Sequence, residues 1–313
     1  MDKRKKKFLR KELSWIFLKI FTFLCDKCSL SLLYGIGAFL GRIAYMVVLP
    51  HKKVALESLS IAFPDFSLKK RKKIAKEFFI FMAQSFFELI YFLKKPHLLE
   101  EKVKTEGENF LKKALGKNKG VILLTAHLGN FPLISLVLAK KGYRINVVAR
   151  PMRDEKIDIF VNNLRNKAGI KTILSYPRKE CVESILRALR NNEIVMIQMD
   201  QNFGTGGVWV KFFNKLAATP IGPIIFALRT KAAIVPAYIK KDGDKYLIRF
   251  LPEEPLDYFP NREEMVLKNV AKFTRIIESW IRENPSYWSW NHRRWKSRPS
   301  ESVLRAKFKV QKD

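Results

Sequence analysis

The stretch Val121-Ile122-Leu123-Leu124-Thr125-Ala126-His127-Leu128-Gly129-Asn130-Phe131-Pro132 decides how this chain folds. An apolar run ends on a histidine, Gly-Asn follows, and a second apolar stretch continues through Leu138. The pattern predicts a buried strand ending at His127, a tight turn, and a helix starting near Phe131. His127 then stands at the carboxyl edge of a sheet, where open α/β folds bind ligands. It also faces a helix N-terminus, whose unpaired N–H groups favour negative charge.

Two further apolar segments end on polar side chains. Residues 144–149 alternate and deliver Arg150-Pro151-Met152, and residues 194–199 are almost wholly apolar and deliver Asp200-Gln201-Asn202. A base, a cation and a carboxylate along one sheet edge favour an active site over three ordinary polar loops. A mutual ion pair of Arg150 and Asp200, holding two loops together, is the structural alternative. More strands are expected near 208–213, 233–239 and 245–251, and helices near 131–141, 154–168, 179–191, 221–230 and 262–283. This alternation predicts an α/β fold with a mixed, mainly parallel sheet flanked by helices. Residues 54–95 read as helical, broken at Phe63-Pro64-Asp65. The aromatic run from Phe78 to Phe92 reads as core, or as an apolar channel or membrane contact. No internal repeat is visible.

Sixty basic residues against 29 acidic ones give a net charge of +31, which predicts polyanionic partners. Nucleic acid is not expected, because neither a zinc finger nor an RNA-binding aromatic motif is present. The remaining candidates are an anionic membrane and an acidic protein. Cys25-x-x-Cys28 lies among apolar helical residues with no second pair, so neither metal nor cofactor is expected. The basic start, Lys3 to Lys11, precedes two apolar stretches, Leu13 to Cys25 and Leu30 to Leu49. The second approaches the roughly 20 residues that cross a bilayer. Arg42 in its middle and basic residues at both ends favour a shallow helical attachment to the cytoplasmic leaflet instead. Residues 1–50 therefore read as a basic, apolar membrane-association segment, 51–300 as the catalytic domain, and 301–313 as a basic tail.

Four blocks, in order, resemble the bacterial lipid A biosynthesis acyltransferase family, within the lysophospholipid and glycerolipid acyltransferases. They are His127-Leu128-Gly129-Asn130-Phe131-Pro132, Arg150-Pro151 with Asn162, Arg165 and Gly169, Asp200-Gln201-Asn202-Phe203-Gly204, and Trp290-Asn291-His292-Arg293-Arg294-Trp295-Lys296. An upstream Ala62-Phe63-Pro64 also fits. One position departs: the family's first block carries Asp or Glu where this chain has Pro132. Proline suits the first turn of a helix but cannot orient a histidine.

The resemblance implies acyl transfer from acyl carrier protein to a hydroxyl of an anionic glycolipid, at the cytoplasmic face of the inner membrane. His127 would be the general base. Gly129, Asn130, Arg150, Pro151, Met152, Gln201 and Asn202 would bind substrate. Asp200 would line the acceptor pocket and orient His127 in place of the missing carboxylate. The segment His292-Arg293-Arg294 would clamp a headgroup, or lie as a cationic surface on the membrane. His51 and His97 read as surface residues. Two alternatives stay open: another phospholipid or glycolipid acceptor, and a non-catalytic lipid-binding homologue, which Pro132 favours.

Overall fold

A computed structural model describes residues 3–152 and 154–301; the expected tail lies almost wholly outside them. Eleven helices are described: α1 (Lys3–Lys27), α2 (Leu30–Val47), α3 (Leu49–Ala62), α4 (Leu68–Lys94), α5 (Leu99–Lys102), α6 (Glu108–Leu115), α7 (Pro132–Lys140), α8 (Glu155–Lys167), α9 (Arg178–Arg190), α10 (Gly222–Thr230) and α11 (Arg262–Glu283). Nine strands accompany them: β1 (Val103–Glu106), β2 (Val121–Thr125), β3 (Ile145–Ala149), β4 (Ile170–Leu174), β5 (Ile194–Gln198), β6 (Val208–Phe212), β7 (Lys215–Thr219), β8 (Ala233–Asp242) and β9 (Lys245–Phe250).

Seven strands form one sheet in the order β1-β9-β8-β2-β5-β3-β4. The block from β8 to β4 is parallel, and β9 runs antiparallel to β8. The expected mixed, mainly parallel sheet is therefore present. One expected strand falls elsewhere: β6 leaves the main sheet and pairs with β7 as a separate antiparallel hairpin. The strand β2 is buried along its whole length. Ile122 and Leu124 enter the core on one face, Val121 and Leu123 the core on the other. Burial on both faces is why this strand reads as a continuous apolar run rather than an alternating one.

The connections leaving β2 and β5 diverge. The first passes through α7 to β3; the second passes through the hairpin and α10 to β8, on the other side of β2. Apolar side chains of α7 pack in one core and those of α10 in the other, so these helices cover opposite faces. The carboxyl ends of β2 and β5 thus meet at a topological switch point, where such sheets form ligand crevices.

The first fifty residues are packed onto this domain. Leu18, Phe21, Cys25 and Leu33 are buried in the same core as Leu123 of β2. Two glycines let α2 approach α4 closely. A Cβ at Gly41 would lie 2.5 Å from Ile80 Cα, and one at Gly37 would lie 3.0 Å from Gln84 Cα. Small residues at this spacing permit close helix crossings. The outward side of α1 and α2 remains apolar: Ile16, Ile20, Phe23, Leu32, Phe39, Met46 and Val47 are exposed. Of the described helices, α2 alone is long and apolar enough to cross a membrane.

Candidate active site

In the sheet, Thr125 of β2 pairs with Gln198 of β5. The strands end there, β2 two residues short of the expected His127, and the chain continues two residues beyond each, to His127 and to Asp200. The two side chains meet: His127 Nδ1 lies 2.9 Å from Asp200 Oδ1, and the His127 backbone N–H donates to Asp200 Oδ2 at 3.0 Å. Trp288 Nε1 donates to the same Oδ2 at 2.7 Å. The Asp200 side chain is fully buried, whereas that of His127 is 23% exposed. Burial works against the charged carboxylate. The neighbouring His127 and the converging N–H donors outweigh it and hold the Asp200 carboxyl below its ordinary range. An ionised carboxylate only accepts, so His127 Nδ1 carries the proton, and in the neutral imidazole the lone pair is then on Nε2. The imidazole is half-open at the crevice and packs edge-on against Phe131, 4.9 Å between centroids.

The turn after His127 is fixed from several sides. Ser289 N–H donates to His127 O at 3.2 Å and Gly129 N–H donates to Tyr287 O at 2.9 Å. Gly129 has φ +63°, and a Cβ there would lie 2.5 Å from the Ile239 carbonyl oxygen. Asn130 is 2% exposed. Its amide donates to Ser85 O at 3.2 Å and to Glu88 Oε2 at 2.8 Å. Glu88 is completely buried and also accepts from Tyr246 Oη at 2.7 Å and from Tyr34 Oη. Burial pushes its carboxyl up. One buried carboxyl group thus joins α2, α4, β9 and the His127 turn. Pro132 opens α7 at its first helical position, in a site where the missing N–H costs nothing.

The other expected residues divide. Arg150 follows β3 at the same carboxyl edge, is exposed, and has no ion pair among the described residues. The alternative of an Arg150–Asp200 ion pair is therefore replaced: Asp200 is held by His127 and Trp288. Pro151 is half-buried and Met152 is exposed, with its N–H donating to Asp158 Oδ1 at 2.8 Å. Asn162 continues that chain to Asp158 Oδ2 at 3.1 Å, and Arg165 donates to Asn162 Oδ1 at 3.3 Å. Gln201 is half-buried beside Asp200. The Asn202 N–H donates to His292 Nε2 at 3.0 Å, and its amide donates to Ser297 Oγ at 3.0 Å. Burial lowers the His292 pKa, which keeps Nε2 free to accept.

The third basic residue of the His-Arg-Arg segment corrects the sequence reading. Arg294 is fully buried, neither headgroup clamp nor membrane-facing cation. It donates to Ala218 O and Thr219 Oγ1 of β7, and its guanidinium lies over Phe212 at 5.1 Å. Burial lowers its pKa to about 10. Its work is to fasten the C-terminal segment to the β6–β7 hairpin. Trp288 and Glu88 were not singled out in the sequence. Trp288 offered only its place near the Trp290 block, and Glu88 only the oddity of a carboxylate inside an aromatic helix.

The family model described as bacterial lipid A biosynthesis acyltransferase matches residues 1–297. The chain is 22% identical over 292 residues to the lipid A biosynthesis lauroyltransferase of Escherichia coli (strain K12), covering 92% of each protein. It is 24% identical over 280 residues to the lipid A biosynthesis palmitoleoyltransferase of the same strain, covering 86% of this chain and 87% of that protein. Similarity also reaches the phosphatidylinositol mannoside acyltransferase of Mycobacterium tuberculosis (strain CDC 1551 / Oshkosh), at 27% identity over 138 residues and 44% of each chain.

Proposed function

We propose a specific reaction from one premise: this chain belongs to the bacterial lipid A biosynthesis acyltransferase family and is an acyltransferase. The reaction moves a fatty acyl chain from the thioester of an acyl carrier protein to a hydroxyl of a lipid A precursor or similar anionic glycolipid. The observation that carries it is the His127–Asp200 pair at the switch point. With Nδ1 held by a buried carboxylate, Nε2 accepts the proton of the acceptor hydroxyl as its oxygen attacks the thioester carbonyl. The carbon–sulfur bond then breaks, and the proton returns from Nε2 to the leaving sulfur. An ester and a free thiol result. Asp200 stabilises the imidazolium formed between these steps, as the carboxylate of other His-based triads does. Arg150 and Gln201 flank the pair and suit contact with the acceptor phosphate.

Enzyme and acceptor meet at the cytoplasmic face of the inner membrane in this reading. The exposed apolar side of α1 and α2 supports an attachment along the interface. The close seat of α2 on α4 argues against a free-standing span. A different glycolipid acceptor is the second reading, favoured by the similarity to the phosphatidylinositol mannoside enzyme. An acyl-transfer assay with acyl carrier protein thioester and a panel of acceptors decides between them. Turnover on lipid A precursors supports the first reading, turnover on mannosylated or other phospholipids the second. Failure on every acceptor supports a non-catalytic role.

A further inference from the structure

A groove of about 960 Å³ runs between α3 and the segment after His292. None of its lining residues belongs to the His127 cluster. Its walls carry five cations, Lys52, Lys53, Arg293, Lys296 and Arg298, against a single carboxylate, Glu57. Among the described residues none of these charges is in an ion pair. Elsewhere the basic surface is often neutralised: Lys102, Lys117, Lys140 and Lys272 all have carboxylate partners. Concentrated, unneutralised positive charge in a concave site calls for an anionic ligand.

The rim says which kind. Leu49 lines the groove, and it continues the exposed apolar end of α2. Met46, Val47 and Leu49 are 61%, 65% and 61% exposed. Trp295 lines the wall and is half-buried; its Nε1–H donates inward to Phe212 O at 3.3 Å, so it offers the groove apolar ring surface. An anion with hydrocarbon attached matches a cationic hollow with an apolar lip.

We propose that this groove binds the phosphate headgroup of an anionic bilayer phospholipid, with its acyl chains leaving over Met46, Val47 and Leu49. It is a docking site apart from the acceptor site at His127. It holds the protein against the leaflet at the end of α2. The inference rests on the membrane attachment proposed above and not on the identity of the acceptor.

The test uses the full-length protein and two variants of equal charge change. One carries Lys52→Gln, Lys53→Gln, Lys296→Gln and Arg298→Gln. The other carries Lys104→Gln, Lys113→Gln, Lys119→Gln and Arg190→Gln, exposed positions outside the groove. Each binds vesicles of phosphatidylcholine with and without phosphatidylglycerol, after thermal unfolding has shown both variants folded. The groove variant is expected to lose roughly tenfold or more of its phosphatidylglycerol-dependent affinity. The control is expected to lose about twofold or less, by general charge alone. Equal losses, or none in the groove variant, overturn the proposal. A second arm measures acyl transfer in neutral detergent without phospholipid. Unchanged acceptor KM in the groove variant supports a separate site, and a raised KM overturns it by assigning the groove to the acceptor. Loss of affinity for acyl carrier protein alone also overturns it. If the wild type transfers nothing, the catalytic reading fails while the vesicle arm still decides the groove.

Discussion

Asp200 grips His127 twice, by side chain and by backbone: Oδ1 meets Nδ1 at 2.9 Å and Oδ2 accepts the main-chain N–H at 3.0 Å. The carboxylate comes from the neighbouring parallel strand rather than from the helix that follows the histidine. Pro132, where the family pattern has an acid, is thereby relieved of the orienting role. Replacing it with that acid adds no orienting group the imidazole lacks. Pro132→Glu is therefore expected to leave kcat close to wild type. A steady-state assay showing a large gain would mean that Asp200 does not complete the site.

Trp288 supplies the third donor to Asp200, from the fully buried floor of the crevice. Trp288→Phe keeps most of the packing and removes the indole N–H. A buried charged acceptor losing one donor costs about 1–3 kcal/mol. Denaturant unfolding should register that loss. Because the change acts on the carboxylate, kcat should fall while the acceptor KM holds. A fall in KM alone, or no change in either, would separate Trp288 from the site.

Gly129 is the position where the turn leaves no alternative. Its φ of +63° is hostile to a side chain, and its Cβ would collide with the Ile239 carbonyl. Gly129→Ala should destabilise the fold by roughly 1 kcal/mol or more and displace His127. Thermal unfolding and turnover check both parts. A variant with wild-type Tm and rate would show that the turn tolerates the shift.

The main site was legible for a physical reason. A strand buried on both faces needs an uninterrupted apolar run, so His127 and Asp200 stand out where β2 and β5 end. Register then places them opposite one another, which the sequence implies only once the two strands are known neighbours. Other parts were hidden. Val103–Glu106 is short and half charged, and Lys215–Thr219 is built mostly of small residues, so neither carries the apolar β-branched run that marks a buried strand. Arg294 looked like surface because nothing local reveals that β7 offers it a carbonyl and a hydroxyl. Glu88 and Asn130 meet across 42 positions, and only the packing of α4 against the turn brings them together.

Two groups of the site weaken the fold on acidification, against Glu88, whose raised carboxyl acts in the opposite direction. His292 is lowered from its ordinary 6.5 by burial, so the unfolded chain binds its proton more readily. Its contribution is complete above about pH 6.5 and declines as pH falls below that value. Asp200 is lowered from 3.8, so its contribution is present above that value and lost as pH falls further. Unfolding free energy should thus fall in two stages on acidification. His292→Gln should flatten the upper stage and leave the lower one. An unchanged upper stage in that variant would assign it to another group.

The most direct measurement is the single-turnover rate of acyl transfer from acyl carrier protein thioester for wild type, His127→Ala and Asp200→Asn, with circular dichroism confirming each fold. His127 as base and Asp200 as its orienting partner predict that His127→Ala loses roughly a hundredfold or more. Asp200→Asn should lose nearly as much, because residues acting as a unit are not additive. A folded His127→Ala protein that transfers acyl groups at close to the wild-type rate would contradict the account.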